Sequence, residues 1–430
     1  MMQNASLPTG GEDLRMAALE DPALLRQFAA GVAGQGYRRA ACTALRRAAW
    51  LQPRDSDIQV QLGQVLLADR NFSEARDAFR AALALAPQHA GAWRGLGTAL
   101  LALDEVAAAE AAFRHGFATG ATEHLPPAGA GPHIGLLVLV SVRDINLVTA
   151  PLLDPARFAV TALYVEYADR ALALPPHQRV LNAIADADSG AAALARAEQW
   201  LTRTSAPVIN RPEAVRRCGR AALAETCGDV PGLVVPRTLK LSLAQAGHAA
   251  LPFPYILRAA GCHAGRACHL IRSAADLRVA RGAAWRDGAF AIAFHDTKSP
   301  DGYYRKYRVM LIDGDLYPVH LVHGQDWKVH GFSAPTPDAR QMAEEAAFLT
   351  DMHAILGPAR IQALKALPAR FGLDYLGVDF ALGPRNTLIL FEANPAMTLL
   401  PPRACDAPPA RLAAIGAARE AARRLLARRS

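Results

Sequence analysis

Asp379, Glu392 and Asn394 are the residues whose types and spacing point most directly to chemistry. They lie in GVDFALGPRNTLILFEANPAM (377–397), which otherwise reads as two apolar strands joined by a turn at Gly383-Pro384-Arg385-Asn386. Strand pairing about that turn sets Asp379 close to opposite Glu392, with Asn394 two residues further along the same face. Carboxylates facing each other across a ladder repel, and Arg385 in the turn is the one cation in the run. Something positive has to sit between them. A few hard oxygens, with no His or Cys beside them, suit Mg²⁺ held against a phosphate-bearing substrate. An exposed hairpin with an acidic wet face accounts for the same residues equally well, so the surrounding elements must decide.

Those elements fall into two patterns. From 133 to 235 short apolar runs (HIGLLVLVSV, FAVTALYVEY, RVLNAIAD, APVINRP) alternate with helical stretches, the pattern of a parallel sheet covered on both faces. From 236 to 402 the pattern is α+β. FPYILRAAG is a strand running into GCHAGR, and AFAIAFHDT is a second strand. YRVMLIDGDLYPVHLV is a hairpin across Asp313-Gly314, residues 338–371 read as helices, and the acidic hairpin closes the set. Gly261 and Gly265 bracket a turn whose backbone can close over phosphate oxygens. A last helix is expected over 403–430.

The N-terminal part is different again. A 34-residue unit starting at Ser56 places Gly63, Ala75, Phe79, Ala82 and Pro87 at fixed offsets, and the next, from Ala90, places Trp93, Leu96, Gly97, Leu100, Ala109 and Phe113. A worn copy from Pro22 gives Ala41, Leu45, Ala48 and Pro53. Residues 22–121 resemble tetratricopeptide repeats, which implies stacked helix pairs with a groove for a peptide or protein partner. ATEHLPPAGAGPH then supplies a Pro/Gly-rich linker, set at 122–132.

Composition narrows the function classes. With 430 residues and 52% hydrophobic content the chain can build two or three cores. The formal charge of +8 invites a nucleic-acid reading, but only five of the 47 cations are lysines (Lys240, Lys298, Lys306, Lys328, Lys365). The excess is Arg on helix faces, most densely on the last helix, where Arg411, Arg419, Arg423, Arg424, Arg428 and Arg429 read as a solvated face without interleaved aromatics. Neither nucleic acid nor membrane is therefore expected as a partner. The lysines all fall between 240 and 365, as though an ammonium were needed there. The six cysteines form no CxxC pair, the N-terminus lacks the order of a signal peptide, and the longest apolar run is far short of a membrane span. The expectation is a soluble cytoplasmic protein.

Asp374-Tyr375-Leu376-Gly377-Val378-Asp379-Phe380, followed by Phe391-Glu392-Ala393-Asn394-Pro395, resembles the C-terminal signature of the ATP-grasp superfamily, in the branch of glutathione synthetase and ribosomal-protein glutamate ligase. The resemblance covers about 133–400 in order of elements. It implies a multidomain chain, all-α repeats followed by an α/β and α+β ATP-grasp fold, with ATP and Mg²⁺ as cofactors and Asp379, Glu392 and Asn394 as metal ligands. It puts Arg258 and Arg220 where the family has phosphate-contacting lysines, and Gly261, His263 and Gly265 in its flexible loop. Arg308, in KYRVMLIDG, matches the Arg that reaches the γ-phosphate or the acyl phosphate. Asp296, in AFHDT, stands a few positions from the usual acidic residue of the adenine hinge. His320 is read as structural.

The activity so implied is amide formation: a small-molecule or peptide carboxylate is phosphorylated by MgATP and the acyl phosphate is opened by an amine. No side-chain nucleophile is needed, in agreement with the absence of GxxxxGK[ST], GxSxG and HExxH. The alternative is a catalytically impaired nucleotide-binding scaffold, which the two Lys-to-Arg positions favour; a purely structural adaptor would leave the acidic triplet unexplained. Related architectures pair, so a homodimer is expected.

Overall fold

The computed structural model describes residues 20–428 apart from 35, 130, 144, 243–244, 246–247, 249, 262–266, 281–287, 330–336 and 401–407. The chain divides into two compact units, one of residues up to Ala121 with Tyr167–Asp169, the other of Thr122–Glu166 and Arg170 onward.

Among the described residues the first unit has six helices: α1 (Pro22–Gly34), α2 (Arg38–Leu51), α3 (Ser56–Ala68), α4 (Phe72–Leu85), α5 (Ala90–Ala102) and α6 (Val106–Gly116). α3 and α5 start at the first residue of each expected repeat. Asp55 caps α3 by accepting from the Asp57 and Ile58 amides at 2.8 and 3.3 Å. Glycine lets the aromatic of the paired helix in. A Cβ on Gly63 would lie 2.8 Å from the Phe79 ring, and one on Gly97 2.6 Å from the Phe113 ring. Both rings are buried, so each repeat closes its helix pair by the same small-against-large contact.

Among the described residues the second unit holds three sheets. β1 (Thr122–Leu125), β2 (Ile134–Val140), β3 (Phe158–Tyr164), β4 (Arg179–Asn182) and β5 (Val208–Ile209) form the first, in the order β1-β3-β2-β4-β5. β2 to β5 are parallel and β1 is an antiparallel edge. The head of the expected linker is therefore strand, because Thr122 to Leu125 can complete the open edge of β3. α7 (Ala191–Leu201) leads into β5, and α8 (Pro212–Val215), a 3₁₀ turn (Arg216–Cys218) and α9 (Leu223–Cys227) follow.

β6 (Leu233–Val234) precedes β7 (Thr238–Leu241), β8 (Tyr255–Ala259), β9 (Cys268–Ile271), α10 (Ala274–Ala280) and β10 (Ala289–Ala293); β7, β10, β8 and β9 make the second sheet. β11 (Tyr304–Ile312), β12 (Asp315–Gly324), α11 (Ala339–Thr350), α12 (Met352–Phe371), β13 (Tyr375–Leu382), β14 (Leu388–Asn394) and α13 (Pro409–Ala427) complete the chain. The third sheet runs β12-β11-β13-β14-β6. β6 pairs parallel with β14, Leu233 against Leu388. A division at 235 thus cuts between β6 and the strands that follow, although β6 belongs to the later sheet.

α13 corrects the reading of a solvated arginine face. Its apolar side (Ile415, Ala418, Ala421, Ala422, Leu425) is buried in one core with Leu136 and Val138 of β2 and Met310 and Ile312 of β11. The arginines act as clamps. Arg411 grips the buried Glu345 through two bonds of 2.7 and 2.6 Å, Arg419 donates to the Leu399 carbonyl, Arg423 to that of Pro151, and Arg428 pairs with Asp313 at 2.6 Å. Sequence spacing shows which helix face carries the cations but not which carbonyls await them. Glu345 also accepts from the Leu321 amide, tying α11 and α13 to β12. Glu345→Gln, which keeps the shape and loses the charge, is expected to cost about 2 kcal/mol, read as a lower midpoint in urea unfolding.

Candidate functional site

The third sheet brings the sequence's acidic triplet together. Asp379 stands in register with Glu392 across β13 and β14, with a bulge just after Asp379, and Asn394 faces Gly377 two places along. Asn394 donates to Glu392 Oε1 at 2.9 Å, and its own carbonyl oxygen accepts from the Ala396 amide. Gly377 is needed here: a Cβ would lie 2.3 Å from the Met397 side chain, which folds back over the strand.

The positive charge that two facing carboxylates require comes from other strands. β11 pairs with β13 so that Arg308 is opposite Asp379, and strand alternation puts Lys306 on the same face. Arg308 donates to both Asp379 oxygens at 2.6 and 2.8 Å, and Lys306 Nζ lies 3.1 Å from Oδ2. Arg220, after the 3₁₀ turn, lies 3.6 Å from Glu392. Asp379 is 3% exposed. Burial raises its carboxyl, but Arg308 and then Lys306 outweigh it and hold the group well below the usual carboxylate range. Across the sheet His320 on β12 is in register with Arg308, its Nε2 buried without a partner. Burial, then Arg308, push that imidazole well below its ordinary value, so it adds no charge to the row.

Asn210 fixes the row from below. In the left-handed region (φ 56°), it donates to the Tyr375 carbonyl at 2.7 Å and accepts from the Asp374 and Tyr375 amides, pinning the start of β13 to the end of β5. On the opposite face of β11, Arg305 is clamped by Glu344 at 2.6 Å and Asp301 at 2.7 Å.

A crevice of about 220 Å³ is lined by Arg143, Asp188, Ser189, Lys240, Ala260, Gly261 and Phe290. The Arg220 amide donates to Asp188 at 3.2 Å, so the crevice and the acidic row share Arg220 as a neighbour. Burial pushes the Asp188 carboxyl up, against Arg220 and Lys240, which pull it down. Arg258 lies in register with Phe290 on β10 and Cys268 on β9, and Phe290 with Lys240 on β7. Burial raises the Cys268 thiol, and Arg258, then Lys328 and Arg220, offset part of that rise. A wider depression lined by Arg216, Arg217 and Arg370 is a different case, since Arg216 pairs with Glu198 and Arg370 with Asp229.

Of the residues singled out by sequence, Asp379, Glu392, Asn394, Arg308 and Arg220 thus meet in one row. Arg258 and Gly261 lie on the second sheet. Asp296 is exposed beyond β10, accepting from the Lys298 amide at 3.0 Å and bonding Tyr304. His263 and Gly265 lie outside the described residues. Lys306 was read only as a neighbour of Arg308 that could orient the acceptor; Lys240, Arg143, Asp188 and Asn210 were not singled out for the site. The confinement of lysine to 240–365 was the available signal for Lys306 and Lys240; nothing local marks Arg143.

Among the described residues no three His, Cys, Asp or Glu side chains gather round a point. Two carboxylates and an amide do face one another, and that hard-oxygen set fits a magnesium ion. Both Asp379 oxygens are also held by cations, so a metal there would share Asp379 with Arg308 and Lys306.

Residues 34–90 and 60–115 match the tetratricopeptide repeat family. The N-terminal helices are tetratricopeptide repeats. Their solved neighbours include the crystal structure of MamA, 18% identical over 24% of this chain, with a TM-score of 0.23; this chain spans 61% of the MamA length. Over the rest of the chain the neighbours are ATP-grasp structures. A D-alanine–D-alanine ligase from Bacillus anthracis complexed with ATP is 12% identical, covering 69% of this chain and 95% of its own at a TM-score of 0.43. A RimK domain ATP-grasp protein from Sphaerobacter thermophilus is 18% identical, covering 68% and 98% at 0.39. No curated protein matches the chain. No helix among the described residues is long and apolar enough to cross a membrane.

Proposed function

We propose that the chain is an ATP- and Mg²⁺-dependent carboxylate–amine ligase that works through an acyl phosphate, its repeats recruiting a peptide or protein partner. The observation that carries this reading is the row Arg308–Asp379–Glu392, with Asp379 buried and Lys306 and Arg220 flanking it. Mobile phosphoryl charge needs such a set, cations and hard oxygens fixed by strand register and partly withdrawn from water.

A substrate carboxylate oxygen attacks the γ-phosphorus of ATP. The bond to the β-phosphate bridging oxygen breaks and ADP leaves with the electron pair. An amine then attacks the acyl carbon, phosphate departs with the bonding electrons, and the amine proton passes to it or to solvent. Arg308 and Lys306 neutralise charge on the transferring oxygens, and Arg220 steadies Glu392. Asp379, Glu392 and Asn394 would hold Mg²⁺, which supplies charge neutralisation on the phosphates. The binding set positions the reactants in line, and no side chain becomes covalently bound.

Full engagement of Asp379 by Arg308 and Lys306 favours a second reading, a scaffold that binds nucleotide without turnover. Phosphate release from ATP, measured with panels of acids and amines, separates the two. Release that requires both an acid and an amine and is absent in Asp379→Asn supports the ligase; MgATP binding with no release under any pairing selects the scaffold.

A further inference from the structure

The first sheet reverses direction at β2: the chain goes from β2 to β3 on one side, then crosses back to β4 and β5 on the other. In open parallel sheets the crevice at the carboxyl ends of the strands flanking such a reversal is where ligands sit. Arg143 follows β2, and Asp188 and Ser189 follow β4. These residues form one wall of the 220 Å³ crevice, and Lys240, Gly261 and Phe290 of the second sheet form the other.

The charges of that crevice do not balance internally. Asp188 is committed to the Arg220 amide. Among the described residues the side chains of Arg143 and Lys240 make no hydrogen bond and no close ion pair, and Lys240 acts on Asp188 only through space. The other arginines near the site contrast with them: Arg308 grips Asp379, Arg305 grips Glu344 and Asp301, and Arg220 lies against Glu392. Two cations with no bonded side-chain partner among the described residues, on opposite walls of one crevice whose single carboxylate already accepts from the Arg220 amide, fit an anion brought from outside.

We propose that the crevice takes a compact acid bearing two carboxylates. Arg143, whose planar fork suits a carboxylate, holds one at the strand reversal, and Lys240 draws the second toward the Gly261 side, where it accepts the phosphoryl group. The volume equals about seven waters at ~30 Å³ each, enough for a diacid of a few carbons or for the terminal residue of a peptide ending in glutamate. This rests on the ligase reading for the role of the second carboxylate, while the anion site stands on its own geometry.

The test is isothermal titration of the full chain with succinate, glutarate, adipate, butyrate and a tripeptide ending in glutamate, in wild type, Arg143→Gln and Lys240→Gln, with MgATP titrated separately. Both positions are exposed, so the variants should melt with the wild type. At least one diacid or the peptide should bind tenfold or more tightly than butyrate, the difference should vanish in Arg143→Gln and shrink in Lys240→Gln, and MgATP affinity in Arg143→Gln should stay within about twofold of wild type. Binding of the free diacid alone, or of the peptide alone, identifies the source. Equal binding of mono- and dicarboxylates, no binding of any probe, or unchanged binding in Arg143→Gln overturns the inference. If MgATP fails to bind while a diacid does, the ligase reading falls and the anion site remains.

Discussion

Asp379→Asn is expected to destabilise the second unit by about 3–5 kcal/mol, because it removes the one carboxylate that both Arg308 and Lys306 contact and leaves two partly buried cations facing each other. The side chains of Arg308 and Lys306 are 21% and 13% exposed, too little for water to take over the lost charge. The effect carries a pH signature. The folded-state pKa of Asp379 is depressed, so its stabilisation is present above the unfolded value of about 4 and is lost as the pH falls below that toward the lower folded value. Urea midpoints between pH 7 and pH 2 should fall less steeply for the variant than for wild type, the two curves converging at the acid end. Parallel curves would mean that the ion pairs carry no net stability.

Arg308→Met should weaken MgATP binding about 10–150-fold, the equivalent of the ~1.5–3 kcal/mol of a charge-assisted hydrogen bond lost without replacement. Met roughly preserves the length of the stem, but Asp379 loses its two bonds, so binding is compared at a temperature where both proteins are folded. Arg308→Lys restores charge but not the two parallel bonds, and should recover only part of the affinity. Titration of ATP in the presence of Mg²⁺ reads both. Met and Arg with equal affinity would remove Arg308 from the nucleotide site.

Much of the site was legible because β-register is legible. The turn at Gly383–Asn386 and the alternation on either side determine that Asp379 meets Glu392, and the same counting about Asp313-Gly314 puts Arg308 on a strand of known phase. What the hairpins could not reveal was their mutual order. That β11 lies directly against β13, so that Arg308 grips Asp379, is a long-range pairing with no local signature, and the cation sought between the carboxylates was therefore looked for as a metal. The repeats were legible for the opposite reason: Gly63 with Phe79 and Gly97 with Phe113 are contacts inside one repeat, and periodicity records them. The arginines of α13 were misread because their partners, the Leu399 and Pro151 carbonyls and Glu345, belong to segments remote in sequence. Arg143 was missed because an exposed arginine after a strand is ordinary until the crevice around it is seen.

The most direct test of the central claim, that the Asp379 row is a magnesium–nucleotide site, is calorimetric titration of the full chain with ATP, once with Mg²⁺ and once with the ion chelated. The account predicts saturable one-to-one binding that weakens at least tenfold on chelation. Absence of any ATP affinity, or an affinity indifferent to the ion, would contradict it.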